Sequence, residues 1–372
     1  MATSTSGDSG VGNLDIVVDG DGHVEETFEE VVSHIDDEFA GAKRIIERID
    51  HPKGELFTDI KPLPSPDSDE MSDGAKRLNA ERYTPEEKVE EMDRFGLDYS
   101  ILSPGVSTAV NTINNSECAI AIANGYNNWL TKSFLDTSDK FKGGVLVAPQ
   151  KPYRSAEEID DLADESDVVA VQMIASGLIP PPGHEWYRPI YEAAERNGLA
   201  IMMHTAGAKN ARTFPMQYWW NETYAEDHAI THPFSHMWNV TSITMNAIPE
   251  QYPDLDFVIQ EAGLGWIPYL KYRLDEHSMM YSDQVPGLER LPSEMFDDQF
   301  YFTTQPIPKP VDNHRYVASM IEMIGTENVL YSGDFPHHDF NPPEHLYNYL
   351  KPYFEEDEIE NIMGKTAYDL FW

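Results

Sequence analysis

A few residues in this sequence have the types and spacing that chemistry needs. Asp21-Gly22-His23 follows the apolar run Ile16-Val17-Val18, and on a strand Asp21 and His23 point to the same side, with Asp19 beneath them. Two strand rises separate their Cα atoms by roughly 6.6 Å, close enough for both side chains to reach one cation. Gly20 and Gly22 leave room for an approach to the backbone. Taken alone, the stretch reads equally well as an Asp/Gly turn after a strand. His204 closes the apolar run Leu199–Met203, Glu261 follows Asp256–Gln260, and Asp334 follows Val329–Ser332. A donor set of Asp21, His23, His204 and Asp334 mixes nitrogen and oxygen, which suits Zn²⁺ first, with Mn²⁺ or Fe²⁺ as alternatives, and disfavours thiolate-selective metals. Such an ion lowers the pKa of bound water or polarises a substrate oxygen. The run Val168–Ile174 carries Gln172 and Met173 but neither a lysine nor an acid to bridge two ions, so one metal ion is expected.

The elements that must position these residues alternate regularly. Strands are predicted at Ile16–Val18, Tyr99–Ser103, Gly144–Ala148, Val168–Ile174, Leu199–His204, Asp256–Gln260, Phe300–Thr303 and Val329–Ser332. Thr84-Pro85-Glu86-Glu87 reads as a capping box that opens a helix ending at Gly96. Ser155-Ala156-Glu157-Glu158 reads as a second capping box, and further helices are expected over 25–49, 116–135, 185–197, 265–276, 316–324, 344–350 and 357–370. Eight strands alternating with helices predict an α/β fold, a (β/α)₈ barrel, in which active-site groups project from the C-terminal strand ends. A doubly wound sheet is the alternative, weakened because no Gly-x-Gly-x-x-Gly turn follows the first strand. Residues 1–13 read as a disordered leader and 14–372 as a single barrel domain, with a Pro/Ser/Asp-rich loop over 51–73 inserted after strand one as a candidate lid.

Other histidines compete for roles. His228, His232 and His236 recur every four residues, but Pro233 is expected to begin a helix and break that register. His232 is the candidate of the three to reach the site. His337 and His338 directly follow the Asp334 motif, and His337 is expected to support a metal ligand. Tyr218, Trp219, Trp220, Phe234 and Trp238 are candidates to wall a substrate or to pack a subunit interface.

Composition narrows the function classes. The 372 residues hold 26 Lys+Arg against 65 Asp+Glu, a formal net charge of −39. That field repels nucleic acid and anionic lipid, so no nucleic-acid or membrane partner is expected. The acids are spread along the chain, a pattern that fits adaptation to high salt, where screening removes self-repulsion. The single cysteine, Cys118, excludes an internal disulfide and a thiolate cluster. No stretch reaches the ~20 apolar residues of a membrane span, and no secretion signal opens the chain, so a cytoplasmic location is expected.

The motifs Asp19-Gly20-Asp21-Gly22-His23, His204-Thr205-Ala206-Gly207, Glu261-Ala262-Gly263-Leu264-Gly265-Trp266-Ile267-Pro268, Ser332-Gly333-Asp334-Phe335-Pro336-His337 and Ile362-Met363-Gly364-Lys365-Thr366-Ala367 occur in one order from about residue 15 onward. In these the chain resembles the amidohydrolase-related metal enzymes of the aminocarboxymuconate-semialdehyde decarboxylase type. The resemblance implies a metal-bearing (β/α)₈ barrel, a homodimer or higher oligomer, and non-oxidative decarboxylation or, in other members, hydrolysis or hydration. Carried over, it makes Asp21, His23, His204 and Asp334 the metal ligands. Decarboxylases of this type commonly place a proton-handling histidine where this chain has Glu261. A buried glutamate can relay protons, or it can only bond a metal ligand. The expected function is that of a mononuclear metal enzyme acting on a small carboxylated or carbonyl substrate. Catalysis is assigned to Asp334, which shuttles a proton, to Glu261 and to His232. Decarboxylation is preferred over metal-hydroxide hydrolysis, and the rival is an inactive barrel with a structural metal site.

Overall fold

The computed structural model describes residues 11, 14–48, 82–165, 167–206, 224–308, 314–337 and 339–372. The leader over 1–13 (residue 11 apart), the 51–73 loop, and Tyr218, Trp219, Trp220 and His338 lie outside the described residues. Eight parallel strands pair in sequence order: β1 (Val18–His23), β2 (Tyr99–Ser103), β3 (Phe141–Leu146), β4 (Val168–Ile174), β5 (Ala200–His204), β6 (Phe257–Ile259), β7 (Phe300–Thr303) and β8 (Val329–Leu330). Backbone bonds from Gly20 N to Tyr331 O (2.9 Å), His23 N to Phe335 O (2.9 Å) and Asp334 N to Asp21 O (3.1 Å) join β1 to the segment after β8 and close the barrel. The helices named below are α1 (Phe28–Ser33), α2 (Ala40–Ile46), α3 (Pro85–Phe95), α4 (Ser116–Ser133), α5 (Pro152–Leu162), α6 (Arg188–Arg196), α7 (Tyr224–Met245), α8 (Ile248–Gln251), α9 (Ile267–Met280), α10 (Pro292–Gln299), α11 (His314–Ile324), α12 (Pro343–Leu350), α13 (Glu356–Glu360) and α14 (Thr366–Phe371).

The strand period of two divides the core. Val18, Ile101, Ala170, Met202, Val258 and Leu330 cluster inside the barrel, with Ala367 and Phe371 of α14 packed against them. Their neighbours in sequence, such as Leu102, Val171, Met203 and Ile259, face the helices. Each such aliphatic side chain contributes about 1.5–3 kcal/mol by leaving water. Hydrophobic side chains thus fill the barrel below, and the polar strand ends are left to collect above.

Several local readings change. Strand β1 does not stop at Asp19 but runs through the motif to His23, with an irregular register between Asp19 and Gly22. A Cβ at Gly22 would sit 2.0 Å from Ser100 Oγ, so a larger residue there would have to turn the Ser100 side chain away. The expected helix over 25–49 is two short ones, α1 and α2, around a 3₁₀ turn. Thr84 and Glu87 do form a reciprocal capping box at α3, which ends at Gly96 with φ 76°. Ser155, in contrast, caps nothing: α5 begins at Pro152, and Ser155 Oγ accepts from Ala148 N and donates to Ala148 O, 3.0 Å each. Pro233 does not open a helix but lies inside α7, so the register of the upstream histidines is preserved.

Candidate active site

The polar strand ends converge. β1 supplies Asp21 and His23, β5 supplies His204, Glu261 follows β6, and Asp334 follows β8; all five are buried. Nε2 of His23 lies 3.1 Å from Nε2 of His204 and 3.2 Å from Asp334 Oδ1. Asp21 Oδ1 is 3.5 Å from His204 Nε2 and 3.7 Å from His23 Nε2. Ligand atoms of Asp21, His23 and His204 fall within 4.8 Å of one another, as do those of His23, Asp334 and His337.

The protonation of His204 follows from its partner. Nδ1 lies 2.5 Å from the Thr205 carbonyl oxygen, which can only accept, so Nδ1 carries the hydrogen. Burial, with help from His23, pushes the ring's pKa well below the usual value, and the neutral ring therefore presents a lone pair at Nε2. Burial likewise holds His23 neutral. Burial first, then the charges of Asp334 and Asp19, push Asp21 well above the carboxylate range. These are the conditions a cation relieves. Asp21 Oδ2 and Asp334 Oδ2 are buried without a hydrogen-bond partner among the described residues, a cost of about 1–3 kcal/mol each unless something positive faces them. The donor set and its two orphaned oxygens fit a divalent ion.

Surrounding groups fix this set. Ser103 Oγ donates to Asp21 Oδ1 (3.0 Å), and Gln260 Nε2 reaches Asp21 Oδ1 (3.0 Å) and Gly20 O (3.0 Å). Gln172 Nε2 donates to Gln260 Oε1 at 3.1 Å. Asp19 sits below, accepting from Gly333 N (2.8 Å) and Asp21 N (3.1 Å), so it pins β1 to the segment after β8. Buried Lys88 of α3 donates to His23 O at 2.9 Å and Phe335 O at 3.4 Å, bridging the same two segments. Burial pushes its ammonium down to about 8.

Glu261 and Asp334 hold left-handed backbone conformations, φ 52° and 64°, which cost non-glycine residues on the order of 1–3 kcal/mol each. The Glu261 N–H donates to Thr303 Oγ1 at 3.1 Å, and the strained backbone aims the side chain inward. Glu261 Oε2 lies 3.2 Å from His204 Nε2, and Oε1 lies 3.8 Å from His232 Nδ1. Burial, then the Asp334 charge, pushes the Glu261 carboxyl well above its usual range.

A family model for amidohydrolases matches residues 21–371. The chain belongs to the amidohydrolase family. Membership makes it a metal-dependent enzyme, a carboxy-lyase or hydrolase. Comparison with curated proteins returns no match. Among solved structures it is similar to 5-carboxyvanillate decarboxylase from Sphingomonas paucimobilis, at 21% identity and TM-score 0.65, over 96% of this chain and 98% of that one. An amidohydrolase from Mycobacterium avium subsp. paratuberculosis superposes at TM-score 0.76 and 17% identity, over 96% and 99%. A 5-carboxyvanillate decarboxylase from Novosphingobium aromaticivorans, solved with manganese and 3-methoxy-4-hydroxy-5-nitrobenzoic acid, aligns at TM-score 0.67 and 18% identity, over 96% and 97%. At these identities the likeness is one of fold.

Of the expected site residues, Asp21, His23, His204, His232, Glu261, Asp334 and His337 come together at one end of the barrel. His337 contacts Asp334, Nδ1 to Oδ1 at 2.6 Å, and Glu25 lies 3.5 Å from its Nε2. Burial opposes charge on the His337 ring, but the Asp334 carboxylate outweighs it and raises the pKa well above the usual value. Phe234 and Trp238, candidates for a substrate wall or a subunit interface, are exposed on α7, 44% and 51%. Sequence reasoning missed Ser103, Gln260 and Lys88, whose only signals were strand-end or helix-face positions. It also set aside His228, which stacks edge-on to His232 with ring centroids 4.6 Å apart.

Proposed function

We propose that this enzyme removes CO₂ non-oxidatively from a small hydroxylated aromatic or unsaturated carboxylic acid. One divalent ion, zinc first and manganese next, would be held by Asp21, His23, His204 and Asp334. When bound, such an ion supplies positive charge that gathers substrate oxygens and stabilises the electrons left as CO₂ departs. The observation that carries the reading is Glu261, a buried carboxyl 3.2 Å from the imidazole of His204. The carbon–carboxylate bond breaks, its electron pair stays on carbon, and Glu261 delivers the proton that takes the place of CO₂. His232 packs beside Glu261, its Nδ1 3.8 Å from Oε1, and acts on that carboxyl by position and not through a direct hydrogen bond. Asp334, backed by His337, shuttles a proton to and from a substrate oxygen. The structural neighbours support the substrate class, since those named as decarboxylases act on 5-carboxyvanillate and 2,6-dihydroxybenzoate.

Three further readings belong to the same proposal. The net charge of −39 supports work at high salt. Tyr269, Tyr272, Met279 and Met280 are each more than half exposed on α9, which supports a homo-oligomer that covers them. Among the described residues no helix is long and apolar enough to cross a membrane, and a cytoplasmic location is proposed alongside the small-molecule substrate. The test of the reaction is headspace CO₂ over a panel of hydroxybenzoic and unsaturated acids, with zinc- or manganese-loaded protein in molar KCl. CO₂ release without solvent oxygen entering the product supports decarboxylation. Labelled oxygen from water in the product with no CO₂ would replace it with hydrolysis.

A further inference from the structure

Beside the four-residue set lies a second group of donors that the reaction above does not use as ligands. His228 and His232 stand four residues apart on α7, on one face, with Pro233 accommodated inside the helix. Each offers a ring nitrogen, and Glu261 offers an oxygen, all within 4.8 Å of one another. His232 is buried, its Nδ1 has no hydrogen-bond partner among the described residues, and at 3.8 Å it is too far from Glu261 Oε1 for a hydrogen bond. That gap is one an ion can close, since two ligand bonds of about 2.1 Å span it. Two histidines at i and i+4 on a helix plus a glutamate form a donor set that suits zinc. His228 is only partly buried, so this donor set is not wholly sealed from solvent.

We infer that His228, His232 and Glu261 form a second, weaker divalent-cation site whose occupation inhibits the enzyme. The inhibition rests on the proposed reaction; the binding does not. A cation there takes the group that handles the proton: Glu261 becomes a ligand and has no proton to give. The first site is left intact, because Glu261 is not among its four donors. Excess zinc therefore stops turnover without displacing the first ion.

Equilibrium dialysis of the full chain against zinc in molar KCl, with zinc counted per chain, reads the site without reference to turnover. The wild type is expected to bind two equivalents, the second more weakly, and His228→Asn only one. The metal-free melting temperature of His228→Asn and of a second variant, His228→Gln, checks that the fold is kept. One equivalent in the wild type, or two in both folded variants, overturns the site. CO₂ release measured across the same zinc series is expected to fall at least tenfold in the wild type as the second equivalent binds, and to hold level in His228→Asn. A wild-type rate that stays level with two equivalents bound overturns the inhibitory role. A protein that releases no CO₂ from any acid overturns the reaction and the inhibition together, while the zinc count still decides the site.

Discussion

Glu261 Oε2 lies 3.2 Å from His204 Nε2, which ties the acid at the end of β6 to the imidazole at the end of β5. The contact is buried, and Glu261 reaches it from a left-handed backbone conformation. A buried carboxyl is thereby placed against the metal-competent set.

Glu261→Gln keeps the shape and removes the proton. The expected result is a fall in kcat of about 100- to 10,000-fold, with the tightly held metal retained. Steady-state rates and metal analysis on one sample check it; an unchanged kcat would remove Glu261 from the chemistry.

His337→Ala takes away the ring that holds Asp334 Oδ1 at 2.6 Å. Partners of this kind are typically worth roughly 10- to 100-fold in metal affinity or activity. Zinc affinity measured by competition with a chelator is expected to drop by that order, while far-ultraviolet dichroism stays the same.

Glu26 links stability to pH away from the site. Its carboxylate accepts from Ser107 N at 2.7 Å and Gly105 N at 3.0 Å, but burial dominates and pushes its pKa up to about 7. A raised acid holds its proton more tightly in the folded chain. Its contribution is therefore full below the unfolded pKa near 4.5 and is lost as pH rises through about 7, on the order of 3 kcal/mol in all. The wild-type melting temperature is expected to fall more steeply over that window than that of Glu26→Gln; parallel slopes would contradict the assignment.

The formal charge of −39 makes the folded chain repel itself at low ionic strength. The melting temperature is expected to rise between dilute buffer and molar KCl. A flat or falling trend would argue against adaptation to salt.

Much of this arrangement was legible from residue types. The β2, β4 and β7 strands stand where the apolar runs placed them, and Asp21, His23, His204 and Asp334 were readable because a barrel directs strand ends to one face. β1 was cut short because two glycines and two aspartates mask a strand that survives through close packing on β2. Ser155 mimicked a cap, since a short hydroxyl followed by acids looks alike whether it ends a loop or bonds the preceding strand. Pro233 misled for a related reason: loss of one N–H is tolerated in a helix this long and well packed, and His228 was discounted with it. The α10 helix went unseen, and Gln260, Ser103 and Lys88 had no local signature, because their roles arise from residues distant in the chain.

The central claim is that Asp21, His23, His204 and Asp334 hold a divalent ion that the reaction needs. Elemental analysis of the purified wild type and of His204→Ala, both prepared in molar KCl, tests it most directly. The account predicts one tightly held equivalent of zinc or manganese per wild-type chain, lost in His204→Ala. A wild type without stoichiometric metal, or a variant that keeps all of it, would contradict it.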